Sequence, residues 1–412
     1  MIHQVIKNNL YKSIVTALLP IVIQLYFVRY VSYNVDKDVY GNFVILQIFV
    51  ISLSSILLTM PLNAFTRFYN ESTNKLKFLN EFRSILLLMI IIGFFAFIVY
   101  AIIFSRFDFS TLIILLLYFI SMSSFSLDKE VFLLKLERRK YFYLQMFEAG
   151  AKFLMPIVFY SIYETLDSFL FGIFFGYLLA VIFLRLNLRD HPFKFSLNWN
   201  NLRIYFSYSY PTIFLSMFGW GVNFSDRYFI DYFLKLEDVS IYAILAQLAG
   251  LGYIFGRIYT LHVNPIIYKE YKKDSVQSFH ILLSYTRRLV FFLVAMFLLF
   301  LALPREIFLI ILTESIINSE YYYDVLVVLS VSIFFAVIQN AYSMFFSLEK
   351  KLKIVAYFYF FAFILNLVGN LYIQNYGIIA AAYSTLAAFL FINIMQIYYL
   401  KKHILRTHPN ME

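Results

Sequence analysis

The chain has 412 residues, 62% hydrophobic and only 14% charged, with a mean hydropathy of +0.76. Soluble domains are nearer half apolar and a quarter charged, so a water-soluble fold is excluded. Cysteine is absent, which excludes disulfides and thiolate metal sites, and the net charge of +10 finds its explanation below without nucleic acid.

The apolar runs are about 20 residues long and do not alternate, which predicts spanning helices and not barrel strands. The first run, 11–33, holds Pro20 and Arg29 and reads as a retained first helix. Further runs follow at 42–66, 82–104, 110–127, 141–163, 166–186, 207–231, 239–266, 287–303, 323–347, 353–373 and 377–400. The stretch 304–322 is too short and too charged to span, and reads as a surface helix. The expected fold is an all-α integral membrane protein of about twelve transmembrane helices in two six-helix bundles around a central cavity. The bundles are placed at 1–190 and 207–412, with 191–206 as a cytoplasmic linker.

Orientation follows from the Lys and Arg bias. With a cytoplasmic N-terminus, 26 of the 34 basic residues fall on the cytoplasmic side and four (Lys37, Arg106, Lys235, Arg305) outside, and the C-terminus is cytoplasmic as well. The remaining four, Arg29, Lys152, Arg227 and Arg257, lie inside spans. One missed helix would invert every later loop and erase the asymmetry. The positive charge is thus the cytoplasmic face of the protein, and runs such as "LERRKY" (136–141) read as headgroup anchors.

A short internal repeat is visible. "DVYGNFVILQ" (38–47) parallels "DVSIYAILAQ" (238–247), and each follows a span carrying a Pro and then an Arg: Pro20 and Arg29, Pro211 and Arg227. Two halves of six spans share one orientation, the arrangement of parallel repeats in transporters.

The segment "YSYPTIFLSMFGWGVNFSDRYFIDYFLKLEDVSIYA" (208–243) resembles the seventh-span region of polysaccharide repeat-unit flippases of the Wzx type, within the multidrug/oligosaccharidyl-lipid/polysaccharide exporter superfamily. "NLVGNLYIQNYGIIAAAYSTLAAFL" (366–390) is similar to its last two spans, and "DKDVYGNF" (36–43) and "LNAFTRFYNE" (62–71) also fit. The family often has Gly where this chain has Ala after Gly377. The resemblance implies a flippase for undecaprenyl-diphosphate-linked oligosaccharides in the bacterial cytoplasmic membrane, not an enzyme, and no cofactor. It implies as partners the lipid-linked glycan, membrane lipids, and a polymerase and glycosyltransferases of surface-polysaccharide biosynthesis. Drug export by the same superfamily is the alternative, and a membrane polysaccharide polymerase or glycosyltransferase is the third reading. Asp36 and Asp38 imitate the acidic pair of lipid-dependent glycosyltransferases, but their loop of about seven residues has no room for a catalytic domain.

A charge at the centre of a span costs about 2.5–3.5 kcal/mol on insertion scales, so each needs a partner or a cavity. Arg29, Arg227, Arg257 and Lys152 are the candidate diphosphate contacts, arginine because its planar fork can donate twice and stays ionised. Glu148 lies one turn before Lys152, in the favourable i,i+4 order, as a structural pair or a coupling pair for H+ or Na+. Asp226, with a partner expected on another span, and the stripe Asn366–Asn370 are the other coupling candidates. Gly250, Gly252 and Gly256 either pack a helix closely or open room beside Arg257. The six histidines are scattered without metal-ligand spacing. Single cysteines can be placed in this Cys-free chain to test the topology. An impermeant thiol reagent is expected to label sites at Asp36, Asp167 and Glu320 in intact cells; labelling at Lys140 or Lys273 would reverse the orientation.

Overall fold

Among the described residues the chain forms twelve long helices. The computed structural model describes residues 19–69, 71–103, 108–135, 137–188, 193–271, 273–319 and 321–407, so Asn70, Arg106 and Glu320 lie outside the described residues. The helices are α1 (19–34), α2 (Lys37–Phe68), α3 (Lys75–Ile103) and α4 (Phe109–Leu134). α5 is composite: Arg138–Ala149, a π-helical turn Gly150–Leu154, and Met155–Tyr163. Next come α6 (Leu166–Asn187) and α7 (Trp199–Phe233). α8 is also composite: Leu236–Ala249, a 3-10 turn Gly250–Gly252, and Tyr253–Tyr271. α9 (Ser275–Leu301), α10 (Tyr322–Leu348), α11 (Leu352–Asn370) and α12 (Ile378–Thr407) complete the set. Among the described residues there is no strand, and nine of these helices are long and apolar enough to cross a membrane by length and composition alone. The other three are α1, described only from residue 19, α5, broken by its π turn, and α7, with polar side chains along its whole length. The expected surface helix at 304–322 is two short helices, Arg305–Leu309 and Glu314–Ile317, seated by Phe308, Leu312, Ile316 and Ile317.

Local chemistry sets the ends. Thr165 and Ser168 form a reciprocal capping box at the start of α6, and Asp274 accepts from the Val276 and Gln277 amides at the start of α9. The chain reaches α12 through Gly377 at φ 66°, ψ −158°, a region that only glycine enters without strain.

Contacts divide the chain into two units. Unit 1 takes Val31–Lys37 and the chain from Gly221 on; unit 2 takes Val22–Tyr30 and Asp38–Trp220. The division therefore falls inside α7, and of the expected linker 191–206 only the described stretch 193–198 is non-helical. Helix pairing nevertheless repeats. In unit 2, α4 packs along α6 and α5 against α6; in unit 1, α10 packs along α12 and α11 against α12. Adding six to each helix number turns one set into the other. That recurrence favours 1–190 and 207–412 as the two halves of a duplication, which we retain as a proposal.

Lipid tails are as apolar as leucine, so helices here associate through close packing more than through hydrophobic transfer. Aromatic rings supply much of it. Phe43 and Phe169 meet edge-to-face at 4.4 Å, with Phe27 and Tyr40 against the same ring. Each such pair adds about 0.5–1.5 kcal/mol beyond its buried area. Glycine supplies the closest approach: a Cβ at Gly176 would sit 2.5 Å from the Ala151 Cα, and one at Gly172 would sit 2.6 Å from the Met155 carbonyl oxygen. α6 is thereby seated on the π turn of α5, whereas nothing lies within 4 Å of a Cβ at Gly150. Gly176→Val is expected to reduce the amount of folded protein in the membrane several-fold, while Gly150→Ala leaves it unchanged. Equal abundance of the two variants by immunoblot would contradict this packing.

Candidate functional site

The third part of α8 advances by three or four residues through Tyr253, Arg257, Thr260, Asn264 and Tyr268, so these side chains share one face. On α10, Asn340, Ser343 and Ser347 repeat the same spacing. Where the two faces meet within unit 1, they enclose a groove of about 460 Å3. Gly252 and Gly256 hold its wall together: a Cβ there would lie 3.2 Å from Ile333 and 3.1 Å from Val337 on α10. The glycines therefore serve helix packing, and the arginine beside them gains the space. Arg257 is exposed in the groove, and among the described residues it makes no ion pair and no hydrogen bond. The lining holds amide, hydroxyl and phenol groups and no carboxylate. Such a surface offers one uncompensated positive charge and many neutral hydrogen-bonding groups.

Deeper in unit 1 lies a second polar cluster. Asp226, 1% exposed, accepts from the Arg227 guanidinium at 2.6 Å and from the Tyr242 hydroxyl of α8 at 2.6 Å. The expected partner on another span is thus Tyr242, but the charge partner is the adjacent Arg227. Adjacent residues do not share a helix face, and the long arginine side chain overcomes this by folding back, also donating to the Asn223 carbonyl at 2.5 Å. Its guanidinium lies 4.9 Å from the Tyr242 ring centre, a cation–π contact. Arg227 is consequently neutralised, unlike Arg257. The two are linked: the Asn223 side chain accepts from the Tyr253 hydroxyl at 3.5 Å, and Tyr253 lines the groove.

Asn366 and Asn370 are both fully buried and belong to one network with α7 and α12. Ser225 donates to Asn366 Oδ1 at 3.1 Å, Asn370 donates to the same oxygen at 3.1 Å, and Ser384 donates to Asn370 Oδ1 at 2.5 Å. Asn366 Nδ2 reaches Ser384 and Thr385 at 3.2 and 3.4 Å. Two of the four expected coupling residues, Asn366 and Asn370, are therefore brought together, and they reach α7 at Ser225, the residue before Asp226. Glu148 is not among them.

Glu148 lies in unit 2, each oxygen held by a lysine at 2.8 Å: Lys152 one turn on, and Lys129 from α4. The pair expected from the i,i+4 spacing is a trio carrying net positive charge. Lys152 sits in the π turn, a deviation that recurs at functional sites. Arg29, also in unit 2, is exposed on α1.

One cluster escaped the sequence reading. Arg83 Nε donates to Asp128 Oδ1 at 2.9 Å, and Arg185 lies 3.2 Å from Asp128 Oδ2. Arg83 and Asp128 are 4% and 1% exposed, although the charge count places both arginines on the cytoplasmic side and Asp128 just past the expected span 110–127. The signal was present: α4 continues through Asp128 to Leu134, and Val131 and Phe132 beyond it are apolar and buried.

The MatE family profile matches residues 211–372, which include the groove and the buried asparagines. The lipid II flippase MurJ in an inward-closed conformation superposes with a TM-score of 0.74 at 15% identity, covering 95% of this chain and 87% of that one. An inward-facing multidrug resistance MATE family transporter of the MOP superfamily superposes at 0.64 and 12% identity, over 97% and 100%. The fold is that of the MOP-superfamily transporters. A further member, from Pyrococcus furiosus Vc1 and described with a binding pocket of reversed polarity, superposes at 0.61 and 12% identity, over 95% and 93%. No curated protein sequence matches the chain. At these identities the likeness establishes fold and leaves the substrate to the chemistry of the site.

Asp226→Ala would leave the Arg227 guanidinium buried without its counter-charge, a loss of about 3–5 kcal/mol. We expect a lower melting temperature in detergent for that variant and a partial return in Asp226→Ala/Arg227→Met. A double variant no more stable than the single one would contradict the pairing.

Proposed function

We propose that the protein is a flippase moving lipid-linked oligosaccharides, carried on undecaprenyl diphosphate, from the inner to the outer leaflet of the bacterial cytoplasmic membrane for surface-polysaccharide biosynthesis. The observation that carries this reading is the groove between α8 and α10, with the uncommitted Arg257 among hydroxyl, amide and phenol groups and no carboxylate. A diphosphate needs a fixed cation to replace its hydration, and a sugar needs neutral donors and acceptors. The lipid tail can stay in the bilayer while the headgroup crosses, so only the polar part requires a protein path. Arg29 and Lys152 of unit 2 are proposed as further diphosphate contacts, and Arg227 as the residue that positions Tyr253 at the groove through Asn223. Asp226, Asn366 and Asn370 are the proposed seat of an H+ or Na+ coupling step. Glu148, held by two lysines, is the weaker candidate for that role.

Drug export is the second reading, supported by the multidrug transporters among the similar folds. Organic cations are best held by carboxylates, and the groove presents a guanidinium instead. The reading as a transporter and not an enzyme rests on the same folds, and the glycan-building enzymes are its proposed partners.

Complementation of a flippase-null strain separates these readings. Arg257→Ala should abolish glycan export at normal membrane abundance, and Arg257→Lys should restore it in part, because an ammonium cannot form the bidentate fork. Normal export by Arg257→Ala would remove the groove from the transport path.

A further inference from the structure

We propose that unit 2 carries a binding site for one anionic phospholipid, in a groove between α2, α3 and α7. It encloses about 430 Å3, its walls include Ile56, Met89, Phe206 and Ile213, and Trp199 and Arg203 are its polar members. From Trp199 to Ile213 the helix advances by fourteen residues, about 21 Å, so the groove runs from the start of α7 well into the hydrocarbon layer. Just beyond Ile213 the two helices are fastened by hydroxyls: Ser216 donates to the Ser55 carbonyl at 3.0 Å, and Thr59 donates to Ser216 Oγ at 3.1 Å. The slot is therefore bounded at depth and open along the first four turns of α7.

The occupant follows from the charges. Arg203 is exposed, and among the described residues it has no ion pair and no hydrogen bond. The carboxylate of Glu81 is no counter-charge for it. Glu81 accepts from Asn201 at 3.2 Å and Tyr205 at 3.5 Å, and at 100° per residue those two lie on the face of α7 opposite Trp199, Arg203 and Phe206. Tryptophan prefers the headgroup level, and guanidinium prefers a phosphate oxygen. An apolar slot one chain wide beneath an uncompensated arginine and an interfacial indole complements an acyl chain joined to a phosphodiester. A lipid with net negative charge satisfies Arg203, whereas a choline headgroup brings its own cation to the same place. None of the groove's lining residues belongs to the transport reading, whose carrying observation is the groove in unit 1.

The protein contains its own reporter, because Trp199 is one of only two tryptophans. In a Trp220→Phe variant, fluorescence of Trp199 should be quenched by phosphatidylglycerol with brominated acyl chains at several-fold lower mole fraction than by brominated phosphatidylcholine. Arg203→Gln should equalise the two lipids, and Arg139→Gln, away from the groove, should not. Native mass spectrometry of the chain with Trp220 intact should show the same contrast as retained phosphatidylglycerol, whether or not Trp220→Phe folds. Equal quenching by both lipids, or an undiminished preference in Arg203→Gln, would overturn the site. Relief of quenching by an equimolar polyprenyl phosphate would hand the groove to a carrier lipid and overturn it as well.

Discussion

Ions at membrane depth cost several kcal/mol each unless another charge or a polar cavity answers them. Most of the deep charges of this chain are answered locally. Asp128 is shared by Arg83 and Arg185, Glu148 by Lys129 and Lys152, and Asp226 binds Arg227 and the Tyr242 hydroxyl. Each cluster joins at least two helices, so the same interactions that neutralise charge also fix helix register. The first two carry more basic than acidic groups.

Against that background Arg257 differs, and the proposed function rests on it. Among the described residues it has no ion pair or hydrogen bond, and its surroundings on α8 and α10 are neutral hydrogen-bonding groups. The helix pair is held in place elsewhere, by Gly252 and Gly256 against Ile333 and Val337, so the arginine is not needed for packing. A residue that costs insertion energy and finds no charge or hydrogen-bond partner among the described residues is most simply retained for something that arrives from outside. Its chemistry favours an oxyanion on a polar, uncharged scaffold, which is the chemistry of a phosphorylated glycan.

The fold was largely legible because lipid permits few solutions for the backbone, and each 20-residue apolar run could only be a helix. Each expected apolar run falls on one helix, but polar and charged residues concealed the margins, and α9 begins at Ser275, well before the expected 287. α4 runs on through Asp128, Lys129 and Glu130, because the partners of Asp128 on α3 and α6 and of Lys129 on α5 offset the cost of burial where a loop had been expected. The π turn in α5 left no trace in periodicity, since it shifts register by a single residue. In the site, the Asn366–Asn370 spacing announced a buried stripe correctly. The Asp226–Arg227 pair did not announce itself, because neighbours in sequence point apart on a helix and only the length of arginine lets them meet. The Arg257–Thr260–Asn264–Tyr268 stripe was readable at helical spacing, yet polar residues among so many tyrosines and phenylalanines gave it little contrast.

The central claim is that the groove recognises an anionic diphosphate joined to sugar. Its most direct test is equilibrium binding to the purified protein in nanodiscs of three ligands: a short-chain isoprenyl-diphosphate oligosaccharide, the same glycan on a neutral lipid, and a lipophilic organic cation. The account predicts tightest binding of the diphosphate compound, at least tenfold over the neutral glycolipid (about 1.4 kcal/mol), with affinity falling as salt rises. Preference for the cation, or indifference to the diphosphate, would contradict it.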